Sequence, residues 1–110
     1  MTEHDNKAVK TRIDKWLWAA RFFKTRTLAK AAIEGGKVHA SGQRIKVSKE
    51  IVTGDILRIR LGWDEREIVV KAISDVRRSA PIAQGLYEET AGSLERRSRA
   101  AEARKAAGAL

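Results

Sequence analysis

The sequence predicts an α+β domain: two packed helices on a small antiparallel β-sheet, followed by a basic helical tail at the C-terminal end. Three observations predict it. Apolar residues recur with a helical period between Ile13 and Ile33 and with a period of two between Lys37 and Ile73. From Ser93 onward the chain is rich in Ala, Arg and Glu but carries almost no large apolar side chain.

The elements follow in order. Residues 1–11 are polar and of mixed charge and read as a flexible leader without the basic-then-apolar pattern of a secretory signal. Ile13, Trp16, Leu17 and Ala20 then fall at i, i+3, i+4 and i+7, one face of a helix. Thr11 is the expected N-cap, with Asp14 three residues on in the position of a capping box. A second helix starts at Thr25 or Thr27, either of which can cap it, and Leu28, Ala29, Ala32 and Ile33 form its expected buried side. Gly35-Gly36 ends it, because glycine takes the left-handed conformation of a C-terminal cap.

The period then drops to two. Lys37–Ala40 and Arg44–Val47 flank Ser41-Gly42-Gln43, a hairpin signal. Ile56–Leu61 is a strand with Leu57, Ile59 and Leu61 inward and Arg58 and Arg60 outward. Gly62-Trp63-Asp64-Glu65 turns the chain, and Arg66–Ile73 returns as a strand. Pro81 closes this region, so the divisions expected are a leader at 1–11, the domain at 12–80, and a linker with a helix-prone tail at 81–110. Leu86 and Tyr87 are candidates for packing back on the domain. The tail either docks as a basic arm or frays, since such a helix is marginal in isolation.

Charge is the informative part of the composition. The 110 residues carry a formal net charge of +9 and a sequence pI near 10.4. Between Lys7 and Lys49 twelve Lys and Arg face two acids, Asp14 and Glu34, whereas residues 50–110 hold eleven basic against ten acidic side chains. A field focused in one segment attracts polyanions. There is no cysteine, so neither a disulfide nor a thiolate metal site is available, in keeping with a reducing cytoplasm. His4 and His39 have no second ligand at helical or hairpin spacing, and the acids at Asp64, Glu65 and Glu67 read as solvated turn charges. Nucleophile and phosphate-loop motifs are missing. The reading is of a cytoplasmic monomer, non-enzymatic, with no catalytic residues, metal or cofactor and no membrane partner.

The aromatics are read by position. Trp16 lies on the apolar face and belongs to the core. Trp18 and one of Phe22 and Phe23 lie off it, either to seal the helix junction or to stack on a base. Trp63, at a hairpin tip, is either a lid on the sheet edge or an exposed contact. The segment W-L-W-A-A-R-F-F-K is basic and amphipathic, but its caps and Gly-Gly stop place it inside a folded domain rather than on a membrane.

The stretches R-I-D-K-W-L-W-A-A-R-F-F-K-T-R-T-L-A and E-G-G-K-V-H-A-S-G-Q-R-I-K, with V-T-G-D-I-L after them, resemble the alpha-L RNA-binding motif of a small-subunit ribosomal protein. The tryptophans, R-F-F-K-T-R and the basic tail are similar to one branch of that family, the small bacterial heat-shock proteins that associate with ribosomes. The resemblance implies binding to large-subunit ribosomal RNA, and to peptidyl-tRNA on free large subunits that it helps recycle after aborted translation. Other RNA or DNA would bind non-specifically. It implies that the two helices and the hairpin loop meet RNA, which here selects Arg12, Lys15, Arg21, Lys24, Arg26, Lys30, Arg44 and Lys46. Ser41 departs from the motif, which often has Asn before the turn glycine. The alternative is an RNA-targeting module acting with a separate RNA-modifying enzyme, because the motif also serves as an appendage of such enzymes.

Overall fold

The computed structural model describes residues 10–108, so most of the predicted leader lies outside the described residues. The chain runs β1 (Lys10–Arg12), α1 (Ile13–Ala19), α2 (Arg26–Glu34), β2 (Val38–Ala40), β3 (Gln43–Arg44), β4 (Glu50–Val52), β5 (Ile56–Leu61) and β6 (Asp64–Val70). It ends in α3 (Ala80–Gln84), β7 (Tyr87–Glu89) and α4 (Ala91–Gly108). The sheet is antiparallel with strand order β3-β2-β5-β6-β7, and β1 pairs with β4 in a separate two-stranded ribbon.

The core forms where the helical period meets the strand period. Ile13, Trp16 and Leu17 of α1 and Ala29, Ala32 and Ile33 of α2 pack on Val38, Leu57, Ile59, Ile68 and Val70. Trp16 is fully buried, and its indole N–H donates to the Ala72 carbonyl at 2.9 Å, so its polar edge is satisfied inside the core. Leu28 departs from the expectation. It is 50% exposed, because at 100° per residue it lies on the flank of the Ala29–Ala32–Ile33 stripe rather than within it.

Both helices end in the same hydrogen-bonded device. At α2, Gly36 has φ +77°, its N–H bonds Ile33 O at 3.1 Å, and the Lys37 N–H bonds Ala32 O at 2.9 Å. At α1 the left-handed residue is Arg21, φ +67°, with Arg21 N–H on Trp18 O at 3.1 Å and Phe22 N–H on Leu17 O at 3.0 Å. This is a Schellman cap with arginine where glycine is usual. Phe22, the next residue, turns back onto Trp16 and Tyr87, with ring centroids 6.2 and 4.6 Å away.

The start of α1 corrects the predicted cap. Thr11 sits in β1, and the extended N-cap is Arg12, with no side-chain cap. The Ile13 N–H is met instead by the Lys49 carbonyl at 2.7 Å, a partner brought in by the β1–β4 ribbon. At α2 the expected cap is present: Thr25 Oγ1 accepts from the Leu28 N–H at 3.0 Å. The first hairpin is shorter than predicted, with residues 45–47 outside any strand, and the strand predicted over 66–73 runs from Asp64 to Val70. Ser41 (φ +53°) and Gly42 (φ +76°) form the two-residue turn between β2 and β3, both left-handed as such a hairpin requires.

Residues predicted as linker and tail are built into the domain. Tyr87–Glu89 adds a fifth strand, and α4 docks on β6. Thr90 caps α4 through Ser93 N–H at 3.2 Å. The buried Ser93 hydroxyl accepts from the Glu67 N–H at 3.0 Å and donates to Glu89 at 2.6 Å. Arg97 then forks onto both Glu89 oxygens at 2.8 Å. Beyond Arg97 the helix is exposed along its length.

Candidate nucleic-acid interface

The geometry centres on Asp14, which no capping role explains. Its side chain is fully buried and lies against two guanidiniums from different elements. Arg12 Nε is 3.1 Å from Oδ1 and Arg12 Nη2 is 3.4 Å from Oδ2; Arg26 Nη2 donates to Oδ2 at 3.1 Å. Burial pushes the Asp14 carboxyl up, but the hydrogen bonds and charges of the two arginines outweigh it and hold it below the usual carboxylate range. The arginines are only partly consumed: their side chains remain 44% and 40% exposed.

One carboxylate between two guanidiniums leaves a net positive site at the surface. Each guanidinium has five N–H donors; Arg26 Nε is buried without a partner, and the solvent-facing donors not used by Asp14 remain for a ligand. Arg26 is also the first residue of α2, where a cation opposes the helix dipole, so Asp14 offsets an unfavourable placement. The product is a pair of arginines held at fixed spacing with their free edges outward, a geometry suited to phosphate oxygens.

The other predicted residues are spread around this clamp. Lys15 and Lys30 lie one helical turn after Arg12 and Arg26, on the same faces; Lys15 reaches Asp75 at 3.8 Å. Lys24, Lys30 and Lys46 are exposed and have no acidic partner among the described residues. Arg44 donates to the Glu34 carbonyl at 2.7 Å and lies over Gly36, so it closes the C-terminal end of α2 while staying exposed. Between the hairpin and the following loop is a cavity of about 510 Å³ lined by Arg44, Lys46 and Lys49 and one acid, Asp55. Arg21 stands at the other end of α1 from Arg12, donating to the Arg78 carbonyl at 2.9 Å.

Three contributors escaped the sequence reading. Asp14 has the spacing of a capping residue, Lys49 falls between strands, and Arg77 lies in an unpatterned stretch. Arg77 Nη1 donates to the Trp18 and Phe23 carbonyls at 2.6 and 3.0 Å, and its guanidinium lies 5.8 Å from the centre of the Trp18 ring. It ties residues 71–79 to the helix corner and covers Trp18 with a cation. No periodicity marks such a residue. Among the described residues no group of three or more His, Asp or Glu is placed to hold a metal ion, and no helix is long and apolar enough to cross a membrane.

The S4 domain family model matches residues 11–57, the stretch from β1 to the start of β5. Heat shock protein 15 of Escherichia coli K12 is 56% identical over 101 residues, spanning 92% of this chain and 76% of that protein. The chain belongs to the heat shock protein 15 family. A solved family structure, that of heat shock protein 15 from Vibrio cholerae, superposes with a TM-score of 0.85 at 55% identity, covering 86% of this chain and 96% of that one. That structure is described as trimeric, so the expectation of a monomer gains no support from it. A more distant relative, the RQC P-site tRNA stabilizing factor of Bacillus subtilis, is 32% identical over 72 residues, 66% of this chain and 84% of that protein. The matched S4 segment contains Arg12, Asp14, Arg26 and the hairpin, so the clamp lies within the S4 domain of this chain.

Proposed function

We propose that this chain is a non-enzymatic, cytoplasmic RNA-binding factor that engages ribosomal RNA on the large subunit and assists free large subunits that retain nascent chain on tRNA. The observation that carries the reading is the buried Asp14 holding Arg12 and Arg26 side by side at the surface. Phosphate contact by such a pair releases counterions and makes binding steeply salt-dependent. The exposed lysines at 24, 30 and 46 extend the positive surface along the helices and hairpin. The S4 match and the name of the Bacillus subtilis relative, which specifies a P-site tRNA, support ribosome and tRNA as partners. Other nucleic acids bind the same cations non-specifically.

The test uses sucrose gradients of a lysate. The wild-type chain co-sediments with large subunits and is released by moderate salt. A variant with Lys24, Lys30 and Lys46 all changed to Glu stays at the top of the gradient with its thermal transition intact, because these side chains are exposed and hold no partner. Co-sedimentation of that variant at wild-type levels, or migration of the wild type with small subunits, would remove the reading.

A further inference from the structure

The described residues hold a second surface that the S4 face does not use. On α2, Arg26 and Lys30 lie on one flank of the buried stripe, and Leu28 and Ala31 lie about 160° and about 140° around the helix from Arg26, on the other flank. That second flank borders a groove of about 410 Å³, floored by Phe23, Leu28 and Leu61 and rimmed by Lys37 and Arg60. It abuts, at Leu61 and Gly62, a second cavity of about 490 Å³ bounded by Trp63, Asp64 and Arg104.

Trp63 is the telling residue. It occupies the second central position of the two-residue β5–β6 turn, after Gly62 at φ +63°, and is 98% exposed. An indole there contributes nothing to the core. The three cations along the strip, Lys37, Arg60 and Arg104, form no ion pair among the described residues, and the acid nearest in the ladder is Glu65, directly opposite Arg60. Asp64, the one acid lining it, lies 4.0 Å from Arg97. On the far side of Trp63 the charges differ, since Glu65 and Asp64 there face Arg96 and Arg97.

We infer that this strip is a binding site for unpaired RNA, with Trp63 stacking on a base and Lys37, Arg60 and Arg104 meeting the flanking phosphates. Exposed aromatic faces alternating with unpaired cations are what single-stranded nucleic acid recognition requires. A duplex would not suit it, because a paired base offers no free face to the indole. The site adds to the proposed S4-face function and does not depend on it, since its cations and its flank of α2 are different.

The experiment is fluorescence anisotropy of a labelled ten-nucleotide oligouridylate, which has no structure of its own, titrated with the full chain. Trp63→Ala weakens binding about tenfold, in the range for loss of one base stack, while Trp63→Phe stays within about threefold of wild type. Trp63→Ala leaves the thermal transition and large-subunit co-sedimentation unchanged. The Lys24, Lys30 and Lys46 variant separates the two surfaces: loss of subunit binding with the Trp63 effect retained supports this site whatever becomes of the S4-face reading. Equal oligouridylate affinity in wild type and Trp63→Ala would overturn the proposal. So would a change of sedimentation mass in Trp63→Ala, which would make the strip a contact between copies of the chain.

Discussion

Two arginine–carboxylate clusters in this molecule use the same chemistry to opposite ends. At the helix pair, one carboxylate, Asp14, sits between two arginines. At the docked tail, one arginine, Arg97, sits between two carboxylates, Glu89 and Asp64. The first leaves surplus positive charge with guanidinium edges facing solvent. The second consumes its cation: the Arg97 fork holds the Glu89 carboxyl below its usual range against the opposing effect of burial, and no positive charge is left to offer an anionic ligand. Stoichiometry, rather than the presence of an ion pair, decides whether such a cluster displays charge or fastens structure.

Substitution at the two carboxylates should therefore produce different kinds of damage. Asp14→Ala removes the buried partner of two cations whose heads remain partly solvated, so the cost is below that of a fully buried pair, about 2–3 kcal/mol. It should appear as a lower midpoint in global denaturation. Glu89→Ala removes a forked pair and the Ser93 acceptor at the base of α4, at about 1–2 kcal/mol. It should appear as faster amide exchange across residues 91–108 with exchange in β5 unchanged. If Glu89→Ala instead lowered global stability as much as Asp14→Ala, the tail would be part of the cooperative unit and the contrast would fail.

Arg21→Gly should have the smallest effect, and of opposite sign. Arginine in the left-handed cap conformation costs about 1 kcal/mol relative to glycine, and the exposed hydrogen bond to Arg78 returns part of that. The substitution should stabilise by about 0.5 kcal/mol, seen as a small rise in melting temperature. A fall would show that the Arg21–Arg78 bond is worth more than the backbone strain.

The helix pair was legible in the sequence because its signals are local. The Ile13–Ala20 period, the Thr25 cap and Gly35-Gly36 each act within one turn, and the structure keeps all three. What was misread depends on distant partners. The Asp14 spacing resembles a capping box, but Arg26, twelve residues away, claims the carboxylate, and Lys49 supplies the cap that Thr11 was expected to give. The order of the tail rests on Ser93, Glu89 and Arg97 meeting Glu67 and Asp64 across the sheet, which no composition of the helix itself reveals. Most of the candidate site was likewise nameable as cations. Which of them form a pair was not, because that follows from a buried acid whose role appears only in three dimensions.

On the proposed reading, Asp14 supports RNA binding by holding Arg12 and Arg26 in place, although its own charge repels phosphate. The direct measurement is the affinity of isolated large subunits for the wild type and for Asp14→Asn, compared at one salt concentration where both are folded. Simple electrostatics makes the variant, with one negative charge fewer, the tighter binder. Positioning of the arginines by Asp14 gives the reverse, about tenfold weaker binding from the loss of two positioned charge-assisted contacts. Tighter or equal binding by Asp14→Asn would contradict it.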